Sequence, residues 1–121
     1  MPELRLPERL KRPRPAREAR TCPAHRAWVR RHHCSVPDCE KVPIECAHVR
    51  TGTDCGLGLK PSDRYCLSLC RDHHAEQHRI GERTFEARYG MDLKMLADAF
   101  ARSSPHRLAL RPRGKNDAVD A

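Results

Sequence analysis

The chain has 121 residues, with seven Cys, eight His, 4% aromatic residues and a formal net charge of +8. That length holds one domain at most, and so few aromatic side chains leave a thin apolar core, which small domains ordinarily supplement with disulfides or a metal. No apolar run is long enough to span a bilayer, and no hydrophobic stretch follows the basic N-terminus as a secretory signal requires; an odd Cys count then favours metal ligation in a reducing, cytoplasmic setting over disulfides.

Residues 1–22 read as a basic, disordered arm. Pro2, Pro7, Pro13 and Pro15 interrupt it, and seven Lys and Arg lie within its first 20 residues, too polar a run to bury itself. Residues 1–33 hold ten Lys and Arg against three Glu, whereas residues 34–102 hold ten basic against eleven acidic side chains. A basic arm on a neutral body suits a polyanion, or merely a solvated tail.

The body, residues 23–102, begins with Pro23 at a helix start followed by AHRAWVRRH, with Ala24, Trp28 and Val29 on its apolar side. Trp28, the largest apolar group, is expected to anchor that helix in the core. CSVPDC (34–39) is a tight turn. KVPIECAHV is a short strand with Val42, Ile44 and Val49 as its apolar positions, RTGTDCGLGLKPSD a Gly-rich loop, and YCLSLC an antiparallel second strand. RDHHAEQHRIG is a helix that stops at Gly81, and ERTFEARYG another that stops at Gly90. DLKMLADAFARSS is capped by Asp92 and puts Leu93, Leu96, Ala97 and Phe100 on one face. Residues 103–121 are expected to be a disordered tail.

Two groups of ligand-type residues stand out. Cys34 and Cys39 form a turn carrying two thiolates, and Cys70 and His73 lie three apart where a helix begins, a set suited to tetrahedral structural zinc. Cys66 in place of His73 is the rival assignment, and four small buried hydrophobes the bland one. His74 and His78 share a helix face that His73, turned by about 100°, does not. They suggest a second metal position, where a solvated His pair is the default elsewhere. His48, on the strand before the Gly-rich loop, can face such a metal across a gap sized for one phosphate. A neutral imidazole there takes a proton from water, while a divalent cation (Mg2+, Mn2+ or Zn2+) polarises the phosphate. The glycines of the loop admit backbone N–H groups to an anion, and Lys60 adds a point charge.

IECAHVRTG followed by GLGLKPSDRYCLSLCRDHHAEQHRIGERTFEARYG resembles the HNH endonuclease superfamily and, more narrowly, the small phage and prophage HNH-like proteins of the DUF968 type. The resemblance runs from about Pro23 to Phe100 and is most specific over LCRDHHAEQH. It implies a small α+β fold: a zinc-stapled ββα-metal core, treble-clef-like, with extra C-terminal helices. It further implies His48 as general base, His74 and His78 on the catalytic cation, and structural zinc on Cys34, Cys39, Cys70 and His73. The implied reaction is hydrolysis of a DNA phosphodiester to a 5′-phosphate and a 3′-hydroxyl. Two positions depart from the pattern. Ala47 stands where many HNH enzymes place a further metal ligand, and Tyr65 where the base-orienting Asn falls; Asp63 is the candidate substitute for either role.

The resulting expectation is a metal-dependent DNA endonuclease. Arg50 and Lys60 in the body and Lys11, Arg12 and Arg14 in the arm are its expected phosphate contacts, and duplex DNA, given the scarcity of stacking aromatics, is its partner. The alternative is a non-catalytic nucleic-acid-binding module on the same scaffold. A redox role for Cys22, Cys46, Cys55 or Cys66 is weak, because no CxxC pair exists.

Overall fold

A computed structural model describes residues 20–56 and 58–110. It is a small α+β arrangement in which four helices surround a two-stranded antiparallel sheet, among the described residues. Helix α1 spans Pro23–Val29, strand β1 Ile44–His48, strand β2 Cys66–Cys70, helix α2 Arg71–Ile80, helix α3 Glu82–Tyr89 and helix α4 Leu93–Ser103, followed by a 3-10 turn at Arg107–Leu110.

Helix α1 opens with Pro23 in its first turn, where a missing N–H costs nothing. It has no side-chain cap of its own; the N–H of Cys22 at its N-cap is taken by Asp63 from across the chain. The helix ends at Val29, short of the following His32 and His33. His25 and Val29, both fully buried, fasten it to the body. Trp28 is only half-buried, and its ring lies against His25, His32 and Phe100. The anchoring role expected for Trp28 therefore falls to its smaller neighbours.

The segment 30–43 carries Cys34 and Cys39 to the end of the sheet and is pinned there by Ser68, whose hydroxyl donates to the His33 carbonyl at 2.6 Å and whose carbonyl accepts the Ser35 N–H at 2.9 Å. Val42, expected as an apolar strand position, lies before β1 and is 79% exposed. Strand β1 pairs with β2 in a register that sets Ile44 opposite Cys70 and His48 opposite Cys66. Strand β2 is buried along its whole length, with α1, α2 and α4 packed about it.

Helix α2 starts at the residue after β2, and Cys70 caps it by accepting the His73 N–H on its sulfur at 3.4 Å. That direct junction fixes the first turn of α2 to the sheet, which is what aims its histidines. Gly81, with φ of 90°, separates α2 from α3, and Gly90 ends α3 in the left-handed conformation that favours glycine. Asp92 caps α4 by accepting the Met95 N–H at 3.0 Å.

The main core is built from Leu67 and Leu69 of β2, Ala47 of β1, Val49, Phe85 of α3 and Leu93 and Ala97 of α4, with Cys34, Val36 and Cys70 closing one end. Full burial of each Leu or Phe stabilises by about 1.5–3 kcal/mol, so four such side chains form a modest core. The folded body runs past residue 102, where a disordered tail was expected. Ser104 is fully buried against His25, and Leu110 packs on Ala101 and Cys22 as a second small cluster. The short apolar run RLAL supplies the contact that a composition reading averages away. Residues 111–121 lie outside the described residues.

Candidate metal centre and active-site cleft

At one end of the sheet the segment 30–43, the last residue of β2 and the first turn of α2 converge. They bring Cys34, Cys39, Cys70 and His73 together with all four candidate ligand atoms within 4.8 Å of one another. Cys39 Sγ lies 3.9 Å from Cys70 Sγ, and His73 Nδ1 lies 3.5 Å from Cys34 Sγ and 3.4 Å from Cys70 Sγ. Tetrahedral zinc with ordinary bond lengths separates two thiolates by about 3.8 Å and a thiolate from an imidazole nitrogen by about 3.6 Å. The donor set and its spacing therefore fit a structural metal ion such as zinc. Burial pushes the Cys34 thiol up to about 11, so its thiolate form depends on a bound cation. Cys66 takes no part in the cluster: its thiol donates to the Asp63 carbonyl at 3.1 Å. The adjacent Cys46 sulfur, then burial, push the Cys66 thiol further up, the opposite of what a reactive thiol requires.

His48, at the end of β1, directs Nε2 at Asp63 Oδ1 at 2.9 Å. Asp63 is 6% exposed, and its other oxygen accepts the Cys22 N–H at 2.7 Å and lies 3.0 Å from Arg26 Nε. Burial raises its pKa, but the His48 bond, the Cys22 N–H and the Arg26 charge outweigh that and hold the carboxyl below its usual range. An ionised carboxylate only accepts, so it fixes the proton on His48 Nε2 and leaves Nδ1 as an acceptor.

His74 and His78 lie on one face of α2 with their Nε2 atoms 3.3 Å apart. Two imidazole nitrogens on a common cation in tetrahedral or octahedral geometry are separated by about 3.0–3.4 Å, so this pair fits a shared divalent ion. His74 turns its other nitrogen, Nδ1, to Glu45 Oε1 at 2.8 Å. His48, His74 and His78 line one cleft of about 670 Å³, together with Arg50, Lys60 and Arg83. A second hollow, on the Asp63 side of His48, is lined by Arg20, Arg26 and Lys60. Ala47 points into the core with no exposure, and the Tyr65 ring lies under Arg64 and Lys94, so neither belongs to the cleft. Lys11, Arg12 and Arg14 lie outside the described residues.

Five contributors are not legible in the sequence. Arg26 reaches Asp63 from α1, and Arg83 enters the cleft from α3. Glu82 accepts the N–H groups of Arg50 and Thr51 at 2.7 and 3.0 Å and so ties the mouth of the loop to the start of α3. Glu45 holds His74; its signal was a lone acid on a strand facing a histidine-bearing helix, which spacing along the chain does not pair. Arg20, assigned to the arm, instead bonds to the loop, donating to the Lys60 carbonyl at 2.6 Å.

The sequence model of a family described as "Protein of unknown function (DUF968)" matches residues 7–105. No curated protein and no solved structure matches the chain. No helix among the described residues is long and apolar enough to cross a membrane.

Proposed function

We propose that this chain, which belongs to the DUF968 family, is a metal-dependent DNA endonuclease built on a ββα-metal core of the HNH type and stapled by structural zinc. The observation that carries the reading is that His48, hydrogen-bonded behind to Asp63, lines the same cleft as two imidazoles spaced for one cation. Phosphodiester hydrolysis needs a base for the attacking water and positive charge on the phosphate, and this cleft offers both.

His48 Nδ1 takes the proton of an attacking water. Asp63 keeps the ring in the competent tautomer and stabilises the imidazolium that follows, itself held ionised by Cys22 N–H and Arg26. His74 and His78 would hold the divalent ion, Mg2+, Mn2+ or Zn2+, which would supply positive charge to the phosphate and to the leaving 3′-oxygen. Arg50, Lys60 and Arg83 supply charge to neighbouring phosphates. Asp63 thus takes the orienting role expected of the Asn that Tyr65 replaces, and among the described residues none takes the place left by Ala47.

The core observation favouring a second reading, a DNA-binding module without catalysis, is that missing ligand: Ala47 is fully buried and offers nothing to a cation. His48→Ala separates the two. Under the enzyme reading it abolishes cleavage of duplex DNA and leaves binding affinity within about twofold; cleavage that persists excludes His48 as the base.

A further inference from the structure

We propose that Glu45 is a positioning residue that presets His74 for cation binding without ligating the cation itself. The inference rests on His74 and His78 being the cation ligands, as argued above. Glu45 Oε1 lies 2.8 Å from His74 Nδ1. A carboxylate only accepts, so the hydrogen of a neutral His74 resides on Nδ1 and the lone pair on Nε2, the atom that faces His78 Nε2 at 3.3 Å. Without such a partner a neutral imidazole divides its population between two tautomers, one of which cannot ligate through Nε2.

The second oxygen of Glu45 lies 3.9 Å from the exposed Arg71 Nε at the start of α2, a weak surface attraction, so the His74 bond is the one that sets the carboxylate. Glu45 pairs with Leu69 in the sheet, and α2 begins immediately after β2, so strand, glutamate and histidine share one rigid corner. The two ring nitrogens of an imidazole point in divergent directions. A carboxylate hydrogen-bonded to Nδ1 is therefore turned away from a cation on Nε2, which identifies Glu45 as an orienting partner. Carboxylate–histidine–metal relays of this kind fix ring orientation and raise ligand basicity. In the absence of a cation His74 Nε2 accepts from His78 Nε2–H at 3.3 Å, so the tautomer that Glu45 imposes on His74 is the same one that ligation requires.

The test is a Co2+ titration of the full chain with its thiolate cluster already zinc-loaded, followed by calorimetry and absorption; sulfur-to-cobalt charge transfer reports any exchange into that cluster. The unmutated protein is expected to take up one Co2+ without thiolate bands, and His74→Ala to abolish that uptake. Glu45→Ala weakens it by about 10–100-fold, and Glu45→Gln, which keeps an acceptor without the charge, falls between. In nitrogen-detected NMR of the metal-free cleft, His74 passes from a single Nδ1–H tautomer to a mixture in Glu45→Ala. Uptake within twofold of the unmutated protein, with the tautomer unchanged, overturns the role of Glu45. A loss as complete as that of His74→Ala makes Glu45 a direct ligand and overturns it equally. Failure of the unmutated protein to take up Co2+ overturns the cation site beneath it.

Discussion

Replacing Asp63 by Asn changes almost no volume but removes a charge and turns one of two acceptors into a donor. The native carboxylate accepts from His48 Nε2 on one oxygen and from Cys22 N–H on the other, which also forms an ion pair with Arg26 at 3.0 Å. The amide has two ways to sit. With its oxygen toward Cys22 and Arg26, the Cys22 N–H stays satisfied and its NH2 faces His48 Nε2, which must then give up its hydrogen and carry it on Nδ1. With its oxygen toward His48, the NH2 opposes the Cys22 N–H and the Arg26 charge, and leaving the buried N–H unpaired costs about 1–3 kcal/mol. The first arrangement therefore prevails. Its stability cost is the difference between a charge-assisted and a neutral hydrogen bond, about 1–2 kcal/mol, because Arg26 is partly solvated. Its chemical cost is larger: Nδ1 is protonated and cannot accept from water, and loss of a general base lowers rate by about 10²–10⁴-fold. Urea denaturation of the zinc-loaded protein measures the first quantity, and single-turnover cleavage of a duplex measures the second. Affinity for the duplex without added cation should stay within about twofold. Cleavage within threefold of the unmutated rate, alongside the expected stability loss, would refute the reasoning and leave Asp63 as a structural brace for α1.

Three further outcomes are expected. Chelating the structural metal, or Cys70→Ser, should abolish cooperative unfolding, since structural zinc contributes about 10–16 kcal/mol in small domains against total stabilities of about 5–15; an apo protein that melts within a few degrees of the zinc form by circular dichroism would contradict the centre's structural role. His25 is fully buried beside Ser104, and burial lowers its pKa to about 4, partly opposed by Asp63 and assisted by His106. The unfolded chain takes up this proton near pH 6.5 and the folded one only near 4, so stability is full above 6.5 and falls by about 3 kcal/mol as pH drops to 4; His25→Leu should flatten denaturation midpoints over that window, and an unchanged slope would remove His25 as the cause. Deleting residues 1–19, which spares the docked Arg20, should reduce the log–log salt slope of duplex binding by about 2.7 if Lys11, Arg12 and Arg14 each neutralise one phosphate; an unchanged slope would make the arm a solvated tail.

What was legible in the sequence was mostly local. Cys34 with Cys39, Cys70 with His73, and His74 with His78 are pairs whose geometry follows from a turn or a helix repeat, and the fold brings each pair together. Asp92 and Gly90 declared the ends of helices for the same reason. The long-range partners were not legible. Arg26 meets Asp63 only because α1 crosses the loop before β2, and Glu45 meets His74 only because the β1–β2 register and the β2–α2 junction set their distance. Nothing along the chain encodes either separation. Trp28 misled because size was taken for burial, whereas the tight space beneath α1 admits His25, with Ser104 supplying a hydrogen-bond partner. The turn at Arg107–Leu110 is masked by the polar, Pro-containing segments around it, although Leu110 packs on Cys22 and Ala101 and the backbone of the turn bonds to Ser104 and His106.

Plasmid nicking tests the central claim most directly. Zinc-loaded protein, freed of loosely bound cations, receives magnesium, manganese or zinc in turn, beside a His74→Ala control of matched fold and zinc content. The account predicts cation-dependent nicking that the control lacks. No nicking with any of the three cations, from protein that is folded and still binds duplex DNA, would contradict it and leave a DNA-binding module on a nuclease-like scaffold.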